Sequence, residues 1–121
     1  MKTVSEAKSF GGTQGVYAHT ASSTDCEMTF AVFMPPQAES GPVPVLWYLS
    51  GLTCSHANVM EKGEYRAAAA AHGLAIVCPD TSPRGEQIPD ENDNWQFGSG
   101  AGFYLDATQA PYDANYRMRS Y

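Results

Sequence analysis

Residues Val45 to Ser55, Val-Leu-Trp-Tyr-Leu-Ser-Gly-Leu-Thr-Cys-Ser, join an apolar run to an abrupt break at Ser50-Gly51. A strand that ends in such a loop can aim backbone N–H groups at a ligand. Gly51 has no Cβ, so the main chain can turn tightly there and an anionic oxygen can come close. Those are the needs of an oxyanion hole, where preorganised donors meet the charge that develops on a carbonyl oxygen. Taken alone, the stretch fits an ordinary strand and turn equally well. Cys54 and His56 form a second candidate, since imidazole can deprotonate a thiol. They are only sequence neighbours with no evident orienting acid, and a structural role ranks above a thiol nucleophile. No serine has glycine both two residues before and two residues after it, so the Gly-x-Ser-x-Gly elbow is absent from residues 1–121. His19, in a hairpin, and His72, in the last turn of a helix where a cation is favoured, have ordinary explanations.

Other chemistries fall away on spacing and charge. Asp90-Glu-Asn92-Asp-Asn94 starts like a calcium loop, but its sixth position is Trp95 rather than Gly and its twelfth is Ala101 rather than Glu. Gly98-Ser-Gly100-Ala-Gly102 has the wrong third spacing for a dinucleotide fingerprint and lacks a strand-to-helix turn around it. The acidic cluster Glu86, Asp90, Glu91 and Asp93 reads as a solvated face rather than a metal site. Thirteen acidic against seven basic residues leave a formal charge of −6, which repels phosphate backbones and anionic lipid. Nucleic acid and membrane are therefore not expected as partners. No apolar run is long enough to span a bilayer, and Met1-Lys-Thr-Val-Ser-Glu is unlike a signal peptide, so a soluble chain of the cytoplasm is expected. Cys26, Cys54 and Cys78 are odd in number and widely spaced, which argues for reduced thiols and against a disulfide framework or structural zinc.

The elements that must position the Ser50-Gly51 loop can be read from the same pattern. Val4 to Thr20, punctuated by Gly11, Gly12 and Gly15, predicts a hairpin or a strongly bent strand. Thr29 to Met34 predicts an outer antiparallel strand that Pro35-Pro36 ends. Val45 to Leu49 predicts a buried strand. Asn58 to Ala71 predicts one helix, stopped by a left-handed cap at Gly73. Leu74 to Cys78 is a second continuous apolar run, so strand, helix and strand alternate at the size of a βαβ crossover with parallel pairing. Runs apolar throughout imply helices on both faces of the sheet. The fold class is α/β, and residues 1–121 need no internal domain boundary. The turn-rich stretch from Pro79 to Tyr104 leaves a strand's carboxyl end, where open α/β sheets bind ligands, and its aromatics predict pocket wall. Tyr112 to Tyr121 predicts the start of another helix.

Four motifs carry a resemblance: Phe10-Gly-Gly-x-Gln-Gly-Val-Tyr, Tyr48-Leu-Ser-Gly-Leu-Thr-Cys, Pro79-Asp-Thr-Ser-Pro-Arg-Gly and Phe97-Gly-x-Gly-Ala-Gly-Phe-Tyr-x-Asp-Ala-Thr. In order and spacing the chain resembles the S-formylglutathione hydrolase (esterase D) family, from about Ser5 through Tyr116-Arg-Met. The resemblance implies the amino-terminal part of an α/β-hydrolase three-layer sandwich, with outer antiparallel strands leading into a parallel sheet. It implies a cytosolic enzyme, often a homodimer, that hydrolyses the glutathione thioester to formate and glutathione without a cofactor. Family members carry the catalytic serine, acid and histidine beyond the Tyr-Arg-Met segment, so residues 1–121 alone are expected to be inactive and poorly folded. By the same resemblance Leu52 supplies one oxyanion-hole N–H and Gly51 shapes its loop. Cys54 matches a cysteine beside the active site that is not the nucleophile. Trp95 and Phe103, with the loop Phe97 to Tyr104, wall the acyl and glutathione pocket. A general carboxylesterase or acyltransferase of the same fold, or a non-catalytic binding module, remains as the alternative.

Overall fold

In the computed structural model, which describes residues 1–121, five strands form a single sheet in the order β1-β2-β3-β5-β4. Strands β1 (Lys2–Ser9) and β2 (Gly12–Ala21) pair antiparallel as the expected hairpin. Its two-residue turn holds both Phe10 and Gly11 at positive φ, 48° and 78°, the sign pattern that matches the right-handed twist of a hairpin. Strand β3 (Cys26–Met34) continues the antiparallel ladder. Strand β5 (Ala75–Pro79) then pairs antiparallel to β3 and parallel to β4 (Val45–Trp47), completing the crossover that the two apolar runs predict.

Register decides which side chains meet. Ala31 lies opposite Cys78 and Phe33 opposite Ile76 on one face, while Phe30 faces Pro79 and Val32 faces Val77 on the other. The first face is closed by two helices. Val16, Ala31, Phe33, Ile76 and Cys78 pack with Ala69 of α2 (Arg66–His72), and Val59 and Met60 of α1 (His56–Lys62) pack against that cluster. Small alanines let α2 lie close to the sheet. Gly73 caps it at φ 65°, a left-handed conformation that glycine adopts without steric penalty.

Four expectations are corrected here. The single helix over 58–71 is two, because Glu64 adopts φ 47° and a Cβ on the adjacent Gly63 would press on the Val59 carbonyl. The sheet is covered by helices on one face only. The opposite face carries Phe30, Val32, Trp47, Leu49 and Val77 along a concavity of about 1070 Å3, overhung at one end by Tyr104, Met118 and Tyr121. Strand β4 is accordingly exposed rather than buried, with Trp47 65% accessible, because it is the sheet's last strand. Finally, Tyr112 to Tyr121 holds only a 3-10 turn at Tyr112–Ala114. Its residues pack against distant strands instead: Met118 lies with Ala21, Cys26 and Met28.

Phe33 is fully buried at the centre of the helix-covered face. Phe33→Ala should lower unfolding free energy by about 3–5 kcal/mol, read as a shift in urea midpoint at unchanged slope.

Candidate active site

Because β4 and β5 run parallel, their carboxyl ends release two loops at the same edge of the sheet, residues 48–55 and residues 80–104. The first loop contains a tight turn. The Cys54 N–H donates to the Gly51 carbonyl at 3.1 Å, and Thr53 between them has φ 63°, as the third residue of a type II turn does. Ser55 then caps α1, its hydroxyl accepting from the Ala57 N–H at 3.2 Å and its own N–H donating to Asn58 Oδ1 at 2.8 Å.

The second loop holds the first from several directions. The Tyr104 hydroxyl donates to the Ser50 carbonyl at 2.6 Å, and the Thr53 N–H donates to the Gly100 carbonyl at 2.8 Å. The Cys54 carbonyl accepts from Arg84 Nη2 at 3.0 Å and from the Thr81 hydroxyl. Arg84 Nη1 donates to the Ser99 carbonyl at 2.8 Å. Its Nε donates to both oxygens of Asp80, at 3.1 and 3.0 Å, and Nη2 donates to Asp80 Oδ1 at 2.8 Å. Asp80 is itself fixed where β5 ends, since its N–H donates to the Thr29 carbonyl of β3 at 3.0 Å. Its carboxylate also accepts from the Thr81 N–H at 2.6 Å. His56 Nδ1 lies 3.7 Å away, too far for a hydrogen bond. Burial pushes the Asp80 carboxyl up, but the bonds and charge of Arg84 and the bond from the Thr81 N–H work against it, and the group lies below the usual carboxylate range.

With those bonds made, the N–H groups of Ser50, Gly51 and Leu52 donate to no acceptor in the chain. Leu52 is 47% exposed. Its amide is thus a donor without a protein acceptor, on a turn whose flanks are pinned. Gly51 does not take a left-handed φ, and a Cβ there would meet nothing within 4 Å. The turn does not require glycine; the open space in front of it does distinguish Gly51 from a side-chain-bearing residue.

The remaining predicted residues separate. Cys54 is half-buried and contributes its carbonyl to the clamp. Cys26 and Cys78 are buried free thiols, and burial raises the Cys78 pKa to about 11. Phe103 faces a smaller cavity of about 210 Å3 with Phe97, Leu105, Tyr112 and Tyr116, and Trp95 lines neither that cavity nor the large one. The aromatic that reaches the loop is Tyr104. The acidic cluster is not wholly solvated either: Glu91 is buried, accepting from the Tyr116 hydroxyl at 2.8 Å and the Gln87 N–H at 3.1 Å. Tyr104, expected as pocket wall, bonds the Ser50 carbonyl, and Asp80, Thr81 and Arg84 have no role that the sequence alone suggests. Their one visible signal is an aspartate directly after an apolar strand with an arginine four residues on.

A mixed sheet that presents an amide-bearing loop after one parallel strand and a bracing loop after the next is that of an α/β-hydrolase. The family model described as "Putative esterase" matches residues 21–121, and the chain belongs to that esterase family. It is 53% identical over 121 residues to S-formylglutathione hydrolase of Mus musculus, covering all of this chain and 43% of that protein. It is 53% identical over 120 residues to S-formylglutathione hydrolase of Paracoccus denitrificans (strain Pd 1222), covering 99% of this chain and 43% of that one. A solved S-formylglutathione hydrolase from Agrobacterium tumefaciens superposes with a TM-score of 0.96 at 60% identity, over 100% of this chain and 44% of that one. The chain thus spans less than half the length of the relatives it matches.

The lowered Asp80 pKa fixes the sign of an acid effect. Its contribution to stability is present above the ordinary value of 3.8 and is lost as pH falls through the lower folded value. Asp80→Asn should cost about 2–3 kcal/mol near neutrality and show a flatter stability–pH curve below pH ~4, measured by urea unfolding at stepped pH.

Proposed function

We propose that residues 1–121 form the oxyanion-binding part of a serine thioesterase that hydrolyses S-formylglutathione to formate and glutathione. The observation that carries this reading is the Leu52 N–H: without a protein acceptor, on a half-exposed residue, and held on a turn anchored on both sides. The names borne by the relatives at 53% and 60% identity support the substrate. The serine, its histidine and its acid are assigned to sequence outside these residues, since no Gly-x-Ser-x-Gly occurs within them.

The chemistry is acyl transfer. Histidine takes the serine proton as the hydroxyl attacks the formyl carbon, and negative charge moves onto the carbonyl oxygen. The Leu52 N–H and the amide following the serine donate to that oxygen. Collapse expels the glutathione thiolate, which is protonated, and water then releases formate from the acyl-serine. A donor held in place before substrate arrives needs no reorganisation at the moment charge appears, and losing one such donor costs roughly 100- to 1000-fold in rate. Cys54 closes the loop's turn without entering the reaction, and Trp95 and Phe103 belong to the substrate wall only if segments outside residues 1–121 bring substrate over the 95–104 loop. A homodimer and a cytoplasmic location extend the same proposal.

The test is turnover of S-formylglutathione by the complete protein, followed as release of glutathione thiol. Residues 1–121 alone should give none; absence of turnover by the complete protein, with other esters and thioesters hydrolysed, would replace formyl as the acyl group. A sharper prediction concerns Gly51→Val. Since a Cβ at this position meets no protein atom, the variant should keep the wild-type melting temperature. Its isopropyl group would stand where the oxyanion must come, so kcat/KM should fall about 100-fold or more. Wild-type turnover in this variant would remove the oxyanion role from the loop.

A further inference from the structure

We propose that Arg84 is a positioning residue for the Leu52 amide, a role that rests on the oxyanion reading of this loop and adds a second residue to it. Leu52 has no bond of its own that fixes its amide direction, so that direction is inherited from the turn around it. The turn ends at Cys54, whose carbonyl accepts from Arg84 Nη2 at 3.0 Å. The other two nitrogens reach different segments: Nε bonds the Asp80 carboxylate at the end of β5, and Nη1 bonds the Ser99 carbonyl at 2.8 Å. Ser99 adjoins Gly100, whose carbonyl takes the Thr53 N–H at 2.8 Å. One planar cation therefore ties the turn, the strand end and the bracing loop into a closed circuit.

The geometry demands arginine. A guanidinium offers five N–H donors in a fixed plane, whereas an ammonium is a compact point of charge. Lysine could retain the ion pair with Asp80, but it could not hold the Cys54 and Ser99 carbonyls in two set directions at the same time. Arg84 acts here through its contacts to the Cys54 and Ser99 carbonyls and to Asp80.

The consequence is kinetic. A displacement of about 1 Å at a reacting group costs roughly 100-fold even when its cause is remote. In the complete protein, Arg84→Lys should fold as wild type does, lower kcat by about 10- to 100-fold, leave KM for the thioester within a factor of about two, and weaken a trifluoromethyl ketone by the same factor as kcat. That ketone becomes a tetrahedral oxyanion when serine adds, so its affinity follows the amide's aim, which a merely stabilising residue would not affect. Arg84→Ala should lose more, and millimolar guanidinium should restore part of its kcat. Wild-type kcat and ketone affinity in Arg84→Lys, whatever the change in melting temperature, would overturn the role of Arg84 and leave the oxyanion reading standing. Failure of the wild-type protein to bind the ketone or hydrolyse any ester would remove both.

Discussion

The ion pair between Asp80 and Arg84 is the interaction on which the rest of the site depends. Its carboxylate is nearly buried, with 6% of the side chain exposed, while the guanidinium is 39% exposed. Exposed ion pairs contribute about 0–1 kcal/mol, and fully buried ones lose much of their attraction to desolvation. This pair stands between those limits, and its surroundings offset the desolvation. The Asp80 carboxylate also accepts a backbone N–H, and each Arg84 nitrogen has an acceptor. The loops it joins contain almost no regular structure, so their polar backbone groups must be satisfied one by one. Arg84, Thr81, Tyr104 and Gly100 accomplish that for Cys54, Ser50 and Thr53. What is left over are the amides of Ser50, Gly51 and Leu52, and the proposed chemistry uses that of Leu52.

The scaffold beneath explains why the two loops meet at all. Parallel pairing of β4 with β5 brings both carboxyl ends to one edge, and antiparallel pairing of β5 with β3 brings Thr29 under Asp80. The helix-covered face supplies the buried apolar area through Phe33, Ile76 and Ala69. The opposite face, by contrast, presents large apolar side chains such as Trp47 and Leu49 to solvent. The open final strand follows from the sheet order, in which nothing among residues 1–121 lies beyond β4.

Much of this was legible beforehand, and the reasons for the failures are local. Two continuous apolar runs separated by an alanine-rich segment specify a crossover, because only a strand–helix–strand unit buries both runs at that spacing. The loop at Ser50-Gly51 was legible as a break in hydropathy. The division of the helix was not, because Glu64 is a good helix former by propensity and nothing in its residue type announces a φ of 47°. Tyr112 and Tyr116 stand four apart, as helix neighbours would, yet their rings pack edge to face at 4.9 Å within a turn, and Tyr112 meets Phe97 at 4.8 Å. Arg84 lies 30 residues from Cys54, and no periodicity reports a bond across that separation. Glu91 looked like one more surface charge because its hydroxyl and amide partners are supplied by the fold.

The hydrogen bond from the Asn115 side-chain amide to the Thr24 carbonyl, 2.9 Å long, spans 91 residues. Close by, Met118 shields Cys26 and Met28, and the Tyr121 hydroxyl meets His19 at 3.0 Å. During translation, at roughly 5–20 residues per second, the far end of the β2–β3 hairpin therefore waits about 5–20 s for its lid. For that interval the nascent chain carries a greasy, half-finished hairpin tip, which makes the order of synthesis, and not only the final contacts, part of how this polypeptide reaches its shape.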